Sequence, residues 1–474
     1  MHSDVLIVGA GSAGSVLAER LSVDERCQVT VVESGPGPTD PRVLDQITDG
    51  LRLPIGAASS VVRRYRTTLT DGPKRYAQIM RGAVVGGSGA INGGYFCRAL
   101  PSDMDGWAMQ GWSWDDVLPH FKAIENDVDF DNPLHGSDGP ITVRRVVEFD
   151  GCTAAFVESA RRAGFGWIDD LNGSTPECPL PSGVGAVPLN IYGGNRIGPG
   201  SAFLVPALER ANLTLLTGTQ VRRIQVADGR VAALDCRGPL GGIVLTADRV
   251  VLCAGAIGSA HLLMLSGLGP AQVLRRAGVP VEVDLPVGVD TVDHPEWVLP
   301  VSCQPTHAVP PLEAVLSTQD GLEIRSYTAG FGAMMSGCRD DPADQPHLGV
   351  ALMRPRSRGR VVLRSADPDV APVIEHRYDS EPADVEQLRS GSALAQEIAG
   401  ATVQSEPAWA TSQHLCGSAR MGTVVDNRCR VFGIDGLWVV DGSILPAITS
   451  RGPHATIVMM GHRAAEFITS GSSE

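Results

Sequence analysis

The first thirty residues alternate between apolar runs and turn residues in a pattern that predicts a β-α-β unit. Residues 4–8 form an apolar run expected as a strand, Ser12–Leu21 places apolar or small residues on one side of a helix, and residues 28–33 form a second run. Two strands joined through a helix at this spacing should lie parallel in one sheet. Residues 39–74 are rich in Pro, Gly, Asp and Ser, so we expect a long ordered loop there instead of a second helix and strand.

The same patterning predicts that the character of the chain changes several times after this unit. Residues 101–200 carry tryptophans, turns and short helical stretches, then strand-like runs return, and the pattern shifts again after Pro295. The expected helices cover residues 114–126, 153–163, 259–265, 384–398 and 455–467, and the expected strands cover residues 212–218, 221–226, 249–253, 296–301, 347–353, 360–364 and 437–441. We therefore predict two domains, each assembled from separate pieces of chain.

Length, composition and charge favour a large enzyme over a binding module. The chain has 474 residues, 43% of them hydrophobic, and about 12% glycine against a usual ~7%, without a short repeat, so the glycines should serve local backbone needs. A net charge of −14 disfavours binding to nucleic acid or to an anionic membrane by the chain as a whole. No apolar run reaches ~18 residues and no export signal is recognisable, so we expect a cytoplasmic protein without a transmembrane segment, with peripheral docking at the inner face of the membrane left open.

The ten cysteines are scattered along the chain, without a CxxC pair or a cysteine–histidine cluster at the spacing of a zinc site. Thiols of cytosolic proteins are kept reduced. We therefore expect reduced, mostly packed thiols and no metal centre.

A glycine-rich motif, GAGSAG at residues 9–14, joins the first predicted strand to the first helix, and Glu33 ends the second strand. Gly9 allows a tight turn, Gly11 lets the backbone approach a pyrophosphate, and Gly14 lets the helix pack closely. Glu33 is expected to accept hydrogen bonds from an adenosine ribose. The unit therefore predicts a dinucleotide-binding site.

A second glycine cluster at residues 81–94 helps to decide which dinucleotide is bound. Glycine at this density is needed where a large planar group lies against the backbone, and Arg81, Ser88 and Asn92 supply hydrogen bonds for phosphate and flavin edges. The alternative for such a cluster is a flexible turn. We favour a flavin.

Candidate proton-transfer residues lie near the C-terminal end of the chain. His414 begins the glycine-containing segment HLCGSARMG, and His454 follows Gly452 and Pro453. A histidine beside a glycine turn and exposed to a cofactor suits proton transfer because its unperturbed pKa is about 6.5. His414 is therefore the first candidate for a catalytic base and His454 the second.

Together these motifs resemble the glucose-methanol-choline (GMC) family of FAD-dependent oxidoreductases, and the similarity extends over residues 4–467. Residues 82–94 are similar to the first signature of the family and residues 255–269 to its second. Shorter family phrases recur at residues 111–121, 293–295 and 364–368.

The resemblance implies an α/β protein with two domains and a flavin ring at their junction. A Rossmann-like FAD-binding domain would comprise residues 1–95, 205–292 and 410–470, and a substrate-binding domain with an antiparallel sheet flanked by helices would comprise residues 96–204 and 293–409. The implied FAD-contact residues are Gly9, Gly11, Ser12, Ala13, Gly14, Glu33, Arg81, Gly86, Gly87, Ser88, Asn92, Gly93, Gly94, Val221, Ala254, Gly255, Asp441, Gly442, His454, Ala455 and Thr456. Some relatives bind flavin covalently through a histidine where this chain has Ile91, so FAD is expected to be non-covalent.

The chain departs from the family at the second catalytic position. His414 falls on the catalytic histidine, but the Asn or His that the family usually places about eleven residues before a basic residue of the last helix is replaced by Gly452. His454 lies two residues later and is either a substitute for the missing catalytic side chain or a residue that positions the flavin.

Two segments resemble the mycofactocin-system subgroup of the family: TSQHLC at residues 411–416 and AITSRGPHATIVM at residues 447–459. This resemblance implies a dehydrogenase that oxidises reduced mycofactocin (mycofactocinol) by hydride transfer to flavin N5, with His414 as base, and passes the electrons to the respiratory chain.

Three alternative functions stay open on the sequence. One is an FAD-dependent dehydrogenase or oxidase of small alcohols or choline. Another is a non-redox enzyme similar to hydroxynitrile lyases, which share the fold and which the missing side chain at Gly452 keeps open. The third is a flavoprotein that mainly docks to a partner.

Overall fold

A computed structural model describes residues 2–335, 344–400 and 406–470. The strands are β1 (His2–Val8), β2 (Val29–Val32), β3 (Val62–Asp71), β4 (Lys74–Gly82), β5 (Glu125–Asp127), β6 (Ile141–Val143), β7 (Gly166–Ile168), β8 (Gly183–Ala186), β9 (Ile191–Tyr192), β10 (Asn195–Arg196), β11 (Leu213–Leu216), β12 (Gln220–Ala227), β13 (Arg230–Gly238), β14 (Gly241–Leu252), β15 (Pro295–Pro300), β16 (Leu312–Ser317), β17 (Leu322–Tyr327), β18 (His347–Leu352), β19 (Arg360–Val362), β20 (Val373–Glu375), β21 (Ala408–Thr411) and β22 (Leu437–Val439). The α-helices are α1 (Ser12–Leu21), α2 (Pro41–Thr48), α3 (Pro101–Gly106), α4 (Trp114–Ile124), α5 (Gly151–Arg162), α6 (Val205–Ala207), α7 (Gly255–Leu265), α8 (Ala271–Ala277), α9 (Phe331–Met334), α10 (Pro382–Ala399) and α11 (His454–Ser470).

The N-terminal β-α-β prediction is confirmed, and it forms the centre of the first sheet. The strands run in the order β11-β2-β1-β14-β13-β12, with β22 beside β14. The pairs among β11, β2, β1, β14 and β22 are parallel, whereas β12, β13 and β14 pair antiparallel. Val5 and Ile7 on β1 are fully buried, as the continuous apolar run predicts for a central parallel strand. The carboxyl ends of these strands are where a doubly wound sheet binds its ligand.

A second sheet, predominantly antiparallel, supplies the other half of the molecule. Its order is β21-β15-β18-β17-β16-β8-β7, in which only the β7–β8 pair is parallel among the described strands. Helices α5 and α10 pack against one face and share an apolar core with it. The predicted fold class, an α/β nucleotide-binding fold joined to an antiparallel sheet flanked by helices, is confirmed.

The expectation of a long irregular loop over residues 39–74 is wrong. This segment contains α2 and the whole of β3, which pairs antiparallel with β4 and parallel with β20. Tyr65, Thr67 and Leu69 are buried at alternate positions, while the intervening arginines at 64 and 66 point outward or are partly covered. The adjacent arginines at 63 and 64 and the polar threonines at the buried positions 67 and 70 hide the alternation that would mark a strand. Because β20 belongs to a segment assigned to the other domain, the domain boundaries stay a prediction.

The expectation that all thiols are reduced is wrong for one pair. Cys152, at the start of α5, and Cys303, just after β15, form a disulfide across a sequence separation of 151 residues. Seven other cysteines of the described ranges are free, and Cys338 lies outside the described residues. Pairing at this separation depends on the packing of α5 against the second sheet, which the spacing of cysteines does not reveal.

Several predicted elements differ from the structure only at their ends. Helix α4 stops at Ile124 because Glu125 already pairs with Ile141 in a short parallel ladder. The buried run at residues 249–253 is the end of the long strand β14. None of the helices in the described part of the chain combines the length and the apolar content needed to cross a bilayer.

Candidate active site

The loop that follows β1 brings the backbone of three elements into contact. Gly9 has a φ of +104°, and a Cβ there would lie 2.5 Å from the carbonyl oxygen of Cys253, at the end of β14. A Cβ on Gly14 would lie 2.0 Å from the carbonyl oxygen of Gly9. Helix α1 begins directly after Gly11, which offers no side-chain cap. The first N–H groups of α1 are therefore left for an anionic ligand at its positive end.

The second glycine cluster packs against the backbone of the first. Gly86 donates its N–H to the carbonyl oxygen of Ala10 at 2.7 Å. Gly87 has a φ of +56°, and a Cβ on it would lie 2.7 Å from the Cα of Gly11. The two motifs thus form one cradle of side-chain-free backbone around Gly11 and Gly87, whereas Gly93 and Gly94 lie against Leu53, Pro311 and Ile191 instead.

Glu33 lies beside this cradle at the end of β2. Its Oε2 accepts from the N–H of Ala10 at 3.0 Å and its Oε1 from the N–H of Gly35 at 2.7 Å. Burial raises the pKa of the Glu33 carboxyl, and these backbone hydrogen bonds oppose the rise. The carbonyl of Glu33 accepts from Thr219, so the start of β12, which carries Val221, lies next to it.

Asp441 connects the start of α7 with the C-terminal segment. Its Oδ2 accepts from the N–H of Gly255 at 2.9 Å and from the hydroxyl of Ser259 at 2.6 Å, and its Oδ1 accepts from the N–H of Ser443. Ala254 is the residue that precedes α7. The carbonyl of Gly442 accepts from the N–H of Gly417, which ties this corner to the segment of His414.

His454 lies on the glycine cradle. Its Nδ1 is 3.4 Å from the hydroxyl of Ser12, and a Cβ on Gly89 would lie 2.7 Å from its Cε1. Its Nε2 is buried and has no hydrogen-bond partner among the described residues. Burial lowers the pKa of His454 to about 4, so the ring is neutral at pH 7. The neighbouring Thr456 accepts from the N–H of Ala99 through its hydroxyl.

The polar side chains of the second cluster are engaged with nearby backbone and side chains. The guanidinium of Arg81 donates to the carbonyl of Met80 and to the side chain of Gln413. Ser88 accepts from the N–H of Gly82, and Asn92 accepts from the N–H of Gly94. These contacts therefore fix the two ends of the second glycine cluster, Arg81 and Ser88 near Gly82 and Asn92 around Gly93.

His414 is held by a second histidine that sequence reasoning did not select. The Nδ1 atoms of His414 and His294 lie 2.8 Å apart, and Nε2 of His294 lies 3.0 Å from the carbonyl oxygen of Thr449. Burial lowers the pKa of His294 to about 4 and the pKa of His414 well below its usual range, so both rings are neutral at pH 7.

The protons of the two rings can be assigned from these contacts. A carbonyl oxygen only accepts, so Nε2 of His294 carries the proton of that neutral ring and its Nδ1 is an acceptor. Nδ1 of His414 must then donate to it. Nε2 of His414 is consequently the unprotonated nitrogen of a neutral ring, the state required of a general base.

A buried carboxylate fixes the backbone of both histidines. Oδ1 of Asp293 accepts from the N–H of His294 at 2.8 Å and from the N–H of His414 at 2.7 Å. Its Oδ2 accepts from the hydroxyls of Tyr378 and Thr411. Four donors converge on one carboxylate, which holds the ends of β15 and β21 in register beside the histidine pair.

Comparison with protein-family models identifies the family to which this chain belongs. The N-terminal GMC oxidoreductase model matches residues 3–296 and the C-terminal GMC oxidoreductase model matches residues 355–461. The chain belongs to the GMC oxidoreductase family. It is therefore an FAD-dependent oxidoreductase, as the resemblance implied.

Relatives of this GMC oxidoreductase match along nearly the whole chain. An uncharacterized GMC-type oxidoreductase in the thcA 5' region of Rhodococcus erythropolis is 39% identical over 98% of both chains. The oxygen-dependent choline dehydrogenase of Rhizobium etli (strain CIAT 652) is 32% identical over 99% of this chain and 96% of its own. Among solved structures, pyridoxine 4-oxidase from Mesorbium loti is 29% identical, with a TM-score of 0.89 over 100% of this chain and 99% of its own.

The cradle fits the dinucleotide that the family binds. Its walls are backbone segments packed so closely that a Cβ at Gly9, Gly14 or Gly87 would collide with neighbouring backbone. The uncapped N-terminus of α1 faces the same space, and the unpartnered Nε2 of His454 provides a polar atom beside it. These features suit a pyrophosphate and a flat ring that approach the backbone closely.

A cluster with metal-ligand chemistry lies outside this site and is an ion-pair network. Glu125, Asp127 and His135 bring ligand atoms within 4.8 Å of one another. Arg98 pairs with Glu125, Arg145 pairs with Asp127, and both ring nitrogens of His135 contact carboxylates, Nε2 that of Asp170 at 2.8 Å. Although burial acts to lower it, these hydrogen bonds raise the pKa of His135 to about 10. Two arginines and a protonated imidazole thus neutralise the three carboxylates.

Several site residues escaped the sequence reasoning, among them Asp293, His294 and Arg196. His294 belongs to the Asp-His-Pro phrase at residues 293–295, which was recognised without a role for the histidine. Arg196 is buried and donates to the carbonyls of Ile47, Arg52, Ala90 and Asn92, so it holds the loop before β3 against the second glycine cluster. An arginine at the end of the short strand β10 carries no local signal for that role.

Proposed function

We propose that this GMC oxidoreductase is a dehydrogenase of an alcohol-type donor, with His414 as the general base. The observation that carries the proposal is the hydrogen-bond chain from Thr449 through His294 to His414, which leaves Nε2 of His414 free to accept a proton. In the chemistry of the family, the step that requires a base with this fixed tautomer is removal of the hydroxyl proton of the donor.

Different residues of the chain have different roles in oxidation of the donor. When bound, FAD supplies the acceptor for the hydride that leaves the carbinol carbon. Nε2 of His414 takes the hydroxyl proton, so that the donor leaves as the carbonyl product. His294 accepts from Nδ1 of His414 and keeps the ring oriented throughout. Asp293 holds the backbones of both histidines and so keeps the base in place, and Asp293 itself moves no proton.

For His454 we propose the positioning role and not the catalytic one. Its contacts are with Ser12 and Gly89 of the glycine cradle, whereas His414 is bonded to His294. A neutral ring with a free Nε2 beside the N-terminus of α1 is suited to a hydrogen bond with the cofactor. We also propose that the FAD-contact residues named in the sequence analysis serve that role, that the binding is non-covalent, and that the two-domain division follows the boundaries given there.

The base is tested by rapid-mixing reduction of the holoenzyme under anaerobic conditions. His414→Ala should slow flavin bleaching by a donor at least 100-fold, the lower end of what a positioned base contributes, with FAD content unchanged. His454→Ala should lose FAD affinity while the FAD-loaded fraction is still reduced. Near-normal reduction of His414→Ala contradicts the base, and full FAD retention with lost reduction in His454→Ala contradicts the positioning role. Release of the flavin on denaturation separates non-covalent from covalent binding.

For the donor we propose reduced mycofactocin, with electrons passed to a respiratory acceptor. The support is the similarity of residues 411–416 and 447–459 to the mycofactocin-system subgroup. Anaerobic titration with reduced mycofactocin, choline and pyridoxine, followed by the flavin spectrum, ranks the donors directly. Stronger bleaching by choline or pyridoxine would reject mycofactocin as donor, and stoichiometric peroxide under air would reject the respiratory acceptor. A flavin that no donor bleaches would reject the dehydrogenase itself.

A further inference from the structure

Gly452 is kept small by its surroundings and not by its backbone. Its φ lies outside the left-handed region, so other residues could adopt the same backbone. A Cβ at this position would lie 3.1 Å from Cδ1 and 3.2 Å from Cε1 of the Tyr95 ring, and 3.4 Å from Cε1 of His414. A side chain at residue 452 would therefore enter the gap between the tyrosine ring and the imidazole of the base.

Tyr95 is held in that gap by buried charges. Its hydroxyl donates to Oε2 of Glu323 at 2.8 Å, and Oε1 of Glu323 pairs with Arg325 at 2.7 Å. Arg325 also contacts Glu296 at 2.9 Å and the hydroxyl of Ser412 at 2.8 Å. Because Ser412 stands two residues before His414, the same network fixes the ring of Tyr95 and the segment of the base.

The phenol of Tyr95 is suited to contact and not to proton transfer. Burial raises its pKa well above the ordinary value, with the neighbouring Cys97 thiol and Glu323 carboxylate acting in the same direction. The hydroxyl proton is committed to Glu323. Although the phenol is buried, Tyr95 as a residue is only half-buried, while Phe96 and Cys97 next to it are fully buried. Tyr95 is therefore not fully enclosed by the described residues, and its ring and Cε1 of His414 both lie within 3.4 Å of the Cβ position of Gly452.

We propose that Tyr95 occupies the place of the missing second side chain and is the residue that orients the donor against His414. The inference rests on the proposed oxidation of an alcohol-type donor at His414 and names its class. A half-buried tyrosine selects donors that carry a flat aromatic or hydroquinone-like group next to the hydroxyl, because such groups gain from edge or offset contact with its ring. Gly452 is then the partner that leaves room for this ring.

A double-mutant cycle on Tyr95 and Gly452 tests the proposal in the holoenzyme. The variants are Tyr95→Ala, Gly452→Asn, the double variant, and Tyr95→Phe, which keeps the ring. Tyr95→Ala should raise KM for benzyl alcohol by about tenfold and for ethanol much less, whereas Tyr95→Phe should stay within about threefold for both. Gly452→Asn should cost about 100-fold in kcat/KM in the wild-type background and less than about tenfold in the Tyr95→Ala background, because the asparagine then has the space of the ring.

Matched controls separate this role from general damage. Gly106→Asn places the same side chain on a glycine with no atom within 4 Å of its Cβ position, and Tyr76→Ala removes an exposed ring on β4. Both controls should leave kcat/KM within about twofold. Additive effects of Tyr95→Ala and Gly452→Asn, or an equal rise in KM for benzyl alcohol and ethanol, overturn the proposal.

The test also distinguishes failure of this inference from failure of the proposed function. If none of the donors bleaches the wild-type flavin, the proposed function fails, and the cycle is then read from the thermal unfolding midpoints of the four proteins. Competition for one space predicts that Gly452→Asn lowers the midpoint less when Tyr95 is already alanine. Equal lowering in both backgrounds shows that Tyr95 does not fill the place of residue 452, and this overturns the inference whatever the donor is.

Discussion

Replacement of His294 tests the hydrogen-bond chain that prepares His414. His294→Leu fills a similar volume but neither accepts from Nδ1 of His414 nor donates to Thr449. A buried polar group that loses its partner costs about 1–3 kcal/mol. In the variant the Nδ1–H of His414 has no acceptor, so this cost disfavours the tautomer with a free Nε2 against the tautomer that carries its proton on Nε2, by about 5–150-fold in population. We therefore expect the rate of flavin reduction to fall by about 10- to 100-fold, with FAD content unchanged.

His294→Gln is the rescue variant for this prediction. An amide offers an oxygen to accept from His414 and an NH₂ group to donate to Thr449, so it reproduces both contacts. Reduction should then stay within about tenfold of the wild type. The matched control is His462→Leu, because His462 and His120 form a second pair with Nδ1 atoms 2.8 Å apart, and burial lowers the pKa of His462 to about 4 as well.

The assay is anaerobic stopped-flow bleaching of the flavin by a saturating donor, with unfolding midpoints measured in parallel. If His294 had only a structural role, the His294 and His462 variants would show similar losses in their unfolding midpoints, and their rates of flavin reduction would not differ. The reasoning is refuted if His294→Leu is reduced at the wild-type rate, or if His294→Gln is no faster than His294→Leu.

Three further predictions follow from the same contacts. Because burial holds the pKa of His414 well below 6.5, kcat/KM should be flat above pH 6.5 and fall only in more acidic solution, and an inflection above pH 7 in the pH profile would contradict this. His135→Gln should lower the free energy of unfolding by about 3–5 kcal/mol at pH 6. Since the folded pKa of His135 is about 10, its contribution is complete below about pH 6.5 and is lost as the pH rises towards 10, so denaturant titrations of the two proteins should converge at pH 10. Gly87→Ala should reduce bound FAD at least about tenfold, because its Cβ meets Gly11, whereas Gly193→Ala, with a φ of +57° against +56° but no atom within 4 Å, should retain FAD; equal FAD contents of the two variants would show that only backbone strain matters.

Short stretches of sequence were enough to predict those parts of the fold that depend on residues adjacent along the chain. The apolar run of β1, the glycines after it and the small residues of α1 are consecutive, so their periodicity and spacing predict strand, turn and helix together. Glu33 could be placed at the same corner because a parallel strand returns to it after one helix. The corresponding contacts, Gly9 against Cys253 and Ala10 to Glu33, have the geometry that this unit predicts.

Features that depend on distant segments could not be predicted in the same way. The Cys152–Cys303 disulfide and the strand β3 both arise from partners far along the chain. The adjacent arginines and the buried threonines of β3 break the apolar–polar alternation from which a strand is predicted, so the sequence alone does not distinguish this segment from a loop. Cysteine spacing says still less, because a disulfide requires only that two Cβ atoms meet after folding.

The candidate site combines both kinds of information, and this explains which of its residues were found. His414 stands out locally because it begins a glycine-containing segment, but its protonation state is set by His294, 120 residues earlier, and by a carbonyl of Thr449. Gly452 was recognised as a departure because a side chain was expected there, whereas the reason for the glycine is the ring of Tyr95, more than 350 residues earlier. A residue type shows what chemistry a position can supply, but the tautomer of a base and the space beside it are properties of contacts. The assignments that matter most for the reaction are therefore those that substitutions in pairs, and not single substitutions, can test.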